Sequence, residues 1–323
     1  MRAISLTTVR HVIAEFPDEI DLQEREMINR LRLLIDRPLT DPQELIYAET
    51  LLNYAGEIIR AEPGDLLIYQ ELFDGIIAPD LMESMQHQQL RDDVLDALRY
   101  KHWRKVFYPV YFEKIGIKSC VYCNAQATLA IKRRKKKLSD KDEIQAKFQV
   151  DHYLPKKVYP CFSISLHNLY PVCGNCNNVK GTHKVDFNLY EELPTRSSFN
   201  FSLRKGSQAE YLLTRKLEDI HICLDSPASD ESKGFVNYSK LFELEGIYNQ
   251  QKDVAEELIL KAEVYTAAYK NTLASKFPGI FTTEIIDRLL TGNYTNEVDM
   301  HKRPLAKFVR DISIDVGLIK KPE

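Results

Sequence analysis

Six cysteines stand in this chain of 323 residues, and four of them form two pairs of the type Cys-x-x-Cys. Cys120-Val-Tyr-Cys123 is the first pair and Cys173-Gly-Asn-Cys176 the second, with Asp151-His152 and Leu166-His167-Asn168-Leu169 between them. Each pair brings two sulfurs to one turn of backbone. Two pairs supply the four ligands of a tetrahedral structural zinc site, in which each Zn–S bond is about 2.3 Å. A redox role for either pair would call for a βαβ context, which the surrounding sequence lacks. Cys120, Cys123, Cys173 and Cys176 are therefore expected to bind Zn²⁺. Cys161 and Cys223 have no partner at that spacing and are expected to be buried free thiols.

Charge is distributed unevenly around these residues. Between the first pair and Asp151 runs Lys132-Arg133-Arg134-Lys135-Lys136-Lys137, and residues 101–190 carry 17 Lys or Arg against 6 Asp or Glu. Residues 1–100 carry 9 Arg, no Lys and 20 acidic residues, so the net charge of -3 conceals a basic centre beside an acidic flank. That pattern is the electrostatic footprint of a polyanion-binding module. The run is expected to contact phosphates as point charges, which gives steep salt dependence and little sequence preference. The acidic first hundred residues are expected to lie across the basic centre and restrain it.

Around the cysteines, Asp151-His152-Tyr153-Leu154-Pro155-Lys156, then Asn168-Leu169-Tyr170-Pro171-Val172, then Cys176-Asn177-Asn178-Val179-Lys180-Gly181 together resemble the HNH, or ββα-metal, endonuclease motif. The resemblance covers residues 115–188 and follows the family's order of cysteine pair, Asp-His, Asn-Leu and cysteine pair. It implies that His152 is the general base, a role suited to a side chain whose ordinary pKa lies near 6.5. It implies that Asp151 and Asn177 hold a catalytic Mg²⁺ or Mn²⁺ through hard oxygen atoms. Asn168 corresponds to the middle letter of the motif and would fix the loop that aims the histidine. Cleavage would leave 5′-phosphate and 3′-hydroxyl ends. His167 falls at a position variable in the family and is expected at the surface. Lys180, one helical turn after Asn177, would reach a substrate phosphate or remain solvated.

These residues need short strands and a helix to hold them. Phe148 and Val150 alternate with polar neighbours and lead into His152 as a strand, 166–172 supplies a second, and 174–180 a helix. Helices are expected on both sides. Asp21-Leu-Gln-Glu24 reads as a capping box before Met27, Leu31, Leu34 and Ile35, with Pro38 as the stop. Asp41-Pro42 opens a second helix that Pro63-Gly64 ends, and a third spans 82–107 with Pro109 as its limit. Residues 190–235 read as a connector. One long helix is expected over 248–274, followed by 283–291 closed by Gly292 and 304–316 closed by Gly317. The expected fold class is α+β, mostly α, with an acidic helical region at 1–110, a zinc-stapled nuclease core at 111–190, and a connector and helical region at 191–323.

The 44% hydrophobic and 28% charged content is that of a water-soluble globular chain. No apolar run approaches the ~18 residues of a membrane span, and the first residues do not read as a signal peptide. A cytoplasmic location is expected, where reduced thiols favour metal over disulfides. Gly246-Ile-Tyr-Asn-Gln-Gln-Lys-Asp253 and His301-Lys-Arg-Pro-Leu-Ala-Lys307 resemble segments of the nuclease subunit of Septu-type anti-phage systems, which implies a defence role beside an ATPase partner. DNA is the expected substrate. The alternative is a non-catalytic zinc-dependent nucleic-acid-binding protein, or a scaffold in a larger complex.

Overall fold

Prolines at first helical turns and apolar residues at helical spacing build the N-terminal part, which in the computed structural model is all helix after a two-residue strand. The structure describes residues 1–37, 41–133, 143–194 and 196–321. The protein is α+β and mostly α, with 56% of it helical and 11% in strands. Helix Pro17–Ile35 starts earlier than its capping-box signal, with proline in its first turn, and buries Ile20, Met27, Leu31 and Leu34 along one face. Pro38, expected to stop it, lies outside the described residues. Helix Pro42–Asn53 begins where expected, with the Asp41 carboxylate accepting from the Gln43 N–H at 2.8 Å.

Three expected helices are divided. The second breaks at Tyr54 into Pro42–Asn53 and Ala55–Arg60, and Pro63 then opens helix Pro63–Asp74 where only a stop was read. The third is three helices, Pro79–Glu83, Gln88–Ala97 and Tyr100–Val106, with Arg99 at φ 54° turning the chain between the last two, and a further helix, Tyr108–Ile115, follows where a stop was read. Pro109 sits in the first turn of this further helix, where its missing N–H costs nothing. The 248–274 stretch is likewise three helices, Leu244–Asn249, Lys252–Val264 and Ala267–Lys276, the last capped by the Thr266 hydroxyl. The 190–235 connector contains an antiparallel pair, Asn200–Leu203 with Ile222–Asp225, and helix Ser207–Thr214.

One contiguous core runs from Met1 to Ile319 through all three expected segments. From the N-terminal side, Phe73 meets Phe162 edge to face at 5.8 Å, and Gln70 donates to the Tyr159 hydroxyl at 2.8 Å. The Met1 amino group donates to the Val121 carbonyl, inside the first cysteine pair. From the C-terminal side, the Tyr238 and Tyr248 hydroxyls donate to the carbonyls of Tyr122 and Cys123, both at 2.7 Å. Asn124, at φ 54°, accepts from Leu305 N through its carbonyl and from Lys307 N through its side chain. The first cysteine turn is thus gripped by both flanks.

Candidate functional site

Strand Gln149–His152 pairs antiparallel with strand Leu169–Val172, placing Asp151 opposite Tyr170 and His152 opposite Leu169. Helix Gly174–Lys180 follows directly, its N-cap position taken by Cys173. Side chains alternate across a strand, so Gln149 and Asp151 share one face and His152 takes the other. The helix packs on the first of these faces. There the Asn177 Nδ2 donates to Gln149 Oε1 at 2.6 Å, and one turn later Lys180 Nζ lies 3.2 Å from Asp151 Oδ2.

The four paired cysteines converge at the base of this unit. Their Sγ atoms all lie within 4.8 Å of one another, and among the described residues no other group of His, Cys, Asp or Glu converges in this way. Four sulfurs around one ion at Zn–S of about 2.3 Å stand about 3.8 Å apart, so the cluster is compatible with zinc. The four thiols hydrogen-bond to one another, which lowers Cys123 and Cys173 while Cys120 and Cys176 are raised, so they share protons as one group until a metal displaces them. Cys161 is a buried free thiol, pushed up by burial. Cys223 corrects the expectation: it is exposed, since it follows the inward-facing Ile222 on an edge strand and points outward.

His152 is 2% exposed and its Nε2 lies 3.0 Å from the Ser163 carbonyl. A carbonyl only accepts, so Nε2 carries the proton and Nδ1 is the basic nitrogen. Burial, reinforced by the positive charge of Lys156, holds the imidazole well below its ordinary pKa and hence neutral at pH 7. The Tyr100 ring packs against it at 5.5 Å, and Lys156 Nζ lies 5.5 Å from the centre of the same ring. Asn168 has no exposure and spans the loop after the histidine: its Oδ1 accepts from Leu154 N at 2.7 Å, and its Nδ2 donates to the carbonyls of Leu154 at 3.1 Å and Phe162 at 3.0 Å.

Asp151 is held by two donors on one oxygen, the Tyr122 hydroxyl at 2.6 Å and Lys180 Nζ. Lys180 requires correction. It is neither solvated nor at a phosphate-binding surface but has no exposure, and it donates to the His152 carbonyl at 2.6 Å. Its stem spans the layer between helix and strand, and its charge is spent on Asp151. His167 is also corrected, being 3% exposed rather than on the surface, because Ala61 and Tyr190 cover it. Of the basic run, Lys132 is exposed on strand Leu129–Arg133, which pairs with Glu143–Lys147, and its Nζ lies 3.9 Å from Glu113. Arg133 ends that strand, and Arg134, Lys135, Lys136 and Lys137 lie outside the described residues.

A stretch of 81 residues is similar to the Septu protein PtuB of Bacillus thuringiensis. The two are 31% identical there, over 25% of this chain and 26% of PtuB, so the match spans about a quarter of the PtuB length. No family model matches the chain, and no solved structure matches it. The similarity to PtuB is therefore local.

Sequence reasoning passed over Tyr122, Tyr100, Lys156 and the Ser163 carbonyl. Tyr122 carried a usable signal, since a tyrosine between two buried metal-type cysteines must send its hydroxyl to a buried acceptor. The others are brought in by tertiary packing and had none.

Proposed function

We propose that the protein is a metal-dependent HNH endonuclease that hydrolyses phosphodiester bonds of DNA, acting as an effector of a bacterial anti-phage defence or restriction system. The observation that carries this reading is the strand–strand–helix unit with Asp151 and His152 in register, closed by a four-sulfur cluster. The similarity to PtuB, a Septu protein, supports the defence role, and an ATPase or other defence-system partner is part of the proposal.

In this reading His152 accepts the proton of the attacking water at Nδ1. As the ring becomes positive, the Nε2–H bond to the Ser163 carbonyl strengthens and holds the imidazole in place. General-base action of this kind contributes about 10²- to 10⁴-fold. Asn168 ties the loop from Leu154 to Phe162 and so fixes the Ser163 carbonyl that orients the histidine.

The oxygen donors at the site suit a hard cation. Among the described residues Asn177 gives its Nδ2 to Gln149, which leaves its Oδ1 for a metal, and Asp151 engages Tyr122 and Lys180 through Oδ2, which leaves Oδ1. Asp151 and Asn177 would hold Mg²⁺ or Mn²⁺, and such an ion supplies positive charge for the transition state and the leaving 3′ oxygen. Lys180 and Tyr122 orient Asp151. Cys120, Cys123, Cys173 and Cys176 would hold Zn²⁺ as a clamp, and Lys132 and the residues after it in the basic run would contact the phosphate backbone.

Burial of His152 and the Lys180–Asp151 pair favour a second reading, a zinc-dependent nucleic-acid-binding protein or scaffold without catalysis. Supercoiled plasmid incubated with the protein and Mg²⁺ or Mn²⁺, alone and with co-purifying partners, separates the two. The nuclease reading expects nicked circles that DNA ligase reseals without prior phosphorylation. Retarded but uncut plasmid under all of these conditions supports the second.

A further inference from the structure

His167 is a buried group that the catalytic reading leaves unused. Its Nδ1 lies 3.1 Å from the Ala61 carbonyl, so Nδ1 carries the proton and Nε2 keeps its lone pair. Among the described residues Nε2 has no partner although it is buried. Burial lowers the pKa of the ring, which is neutral at pH 7, so Nε2 can only accept a hydrogen bond. A buried acceptor in this state is completed by an ordered water or by a donor of a bound molecule.

The same histidine lines a cavity of about 230 Å³ whose walls include Tyr153, Tyr170, Leu66, Leu154 and Gly64. The rings of Tyr153 and Tyr170 lie within 25° of parallel, 5.9 Å between centres. Tyr170 is a fixed wall, since its hydroxyl donates to the Phe187 carbonyl and accepts from Leu189 N. Pockets for whole drug-sized ligands measure about 300–1,000 Å³, so this one suits a single flat ring system. Two aromatic rings, aliphatic sides, the His167 acceptor and the Asn188 amide at the rim recognise a heteroaromatic ring bearing an N–H group.

The location narrows the class further. Tyr153 follows His152 directly, and Tyr170 is the cross-strand partner of Asp151. Tyr153 stands just past the end of the strand, so two residues of chain, at most about 7 Å, separate it from Asp151. One nucleotide bridges such a gap. We propose that this cavity binds one nucleobase, unstacked from its strand, packed on Tyr153 and donating an N–H to His167 Nε2. In the proposed reaction the base belongs to a nucleotide next to the cleaved bond, and to that extent the inference rests on the nuclease reading. Its consequence is a substrate with an unpaired base at the cut, since a base inside a duplex cannot enter such a pocket without flipping. Stacking on tyrosine is tolerant of sequence, while the acceptor at His167 favours bases with an exocyclic amine.

The test uses the full-length protein and 2-aminopurine, a fluorescent base with an exocyclic amine. Free 2-aminopurine should be quenched saturably by the wild type, and at least about tenfold more weakly by Gly64→Phe and by His167→Phe. Gly64 lines the cavity, and a Cβ built there meets nothing within 4 Å, so a large side chain at this wall should narrow the cavity while the fold persists. In a DNA strand carrying one 2-aminopurine at the cut, Gly64→Phe should raise KM by a similar factor and spare kcat. Equal quenching by wild type and Gly64→Phe, or no saturable quenching, overturns the inference. Cutting without base binding would leave the nuclease reading and remove the pocket; base binding without cutting would do the reverse.

Discussion

Lys180 and Asp151 form the site's most consequential pair of residues. Both are buried, and their charges cancel within a layer that also contains the His152 carbonyl and the Tyr122 hydroxyl. Removing one member of such a pair strands the other charge, at a cost of about 3–5 kcal/mol, whereas removing both costs much less than the sum. Urea unfolding of Lys180→Met, Asp151→Asn and the double variant should therefore show strong non-additivity; additive losses would mean that the pair is not a unit. At Asn168, replacement by Leu leaves the Leu154 N–H and carbonyl without partners and takes one of two donors from the Phe162 carbonyl, which should cost at least about 2 kcal/mol and lower cutting through the displaced Ser163 carbonyl. Retained stability and activity in Asn168→Leu would contradict that role. The cysteine cluster was legible from type and spacing, whereas the roles of Asp151, His152, Asn168 and Asn177 were implied only by the resemblance, and their protonation and partners were not legible. Lys180 looks like any lysine on a seven-residue helix until the strand beneath it is seen, and His152 looks accessible until Tyr100 is packed on it.

The cysteine cluster joins two elements that could not hold register by themselves. Helix Gly174–Lys180 has seven residues, well below the ~12–15 at which an isolated helix persists. Asn177 follows the cluster residue Cys176, so its hydrogen bond to Gln149 depends on the clamp. If the cluster holds the proposed zinc, chelating it should melt this helix and abolish cutting even with Mg²⁺ restored, read by tryptophan or circular-dichroism melting beside the plasmid assay; full activity in zinc-free protein would refute the coupling. The strand–strand–helix unit was legible because its signals are local: the alternation before His152, the cysteine turn and the Gly-closed helix. The flanking helices were legible as helices but not in their breaks. Arg99 at φ 54° and the Thr266 cap turn the chain where apolar spacing continues unbroken, since those turns are set by packing between elements.

At the scale of the whole molecule the acidic N-terminal region is part of the core, not an appendage laid on it. Deleting residues 1–100 would strip out Met27, Leu31, Tyr47 and Phe73, so the expected restraint is better tested at one contact. Tyr100 covers His152, and Tyr100→Leu keeps most of the volume while freeing the imidazole face. It should raise kcat/KM severalfold at unchanged DNA affinity; no rise would place access elsewhere. Acid should unfold the protein through its buried histidines. Burial lowers His301 from 6.5 to about 3 and lowers His167 as well. Between the folded and unfolded values the unfolded chain binds more protons, so stability is complete above about pH 6.5 and declines below it, by about 2 kcal/mol at pH 5 from His301 alone. His301→Gln should flatten that part of the pH profile, and an unchanged profile would exclude His301 as its source. The central claim is that His152 is the base of a phosphodiester-cutting site. The direct measurement is the rate of plasmid nicking with Mg²⁺ or Mn²⁺ by wild type and His152→Ala of equal zinc content and melting temperature. A loss of at least about 100-fold in the variant is predicted; nicking at the same rate by both would contradict the account.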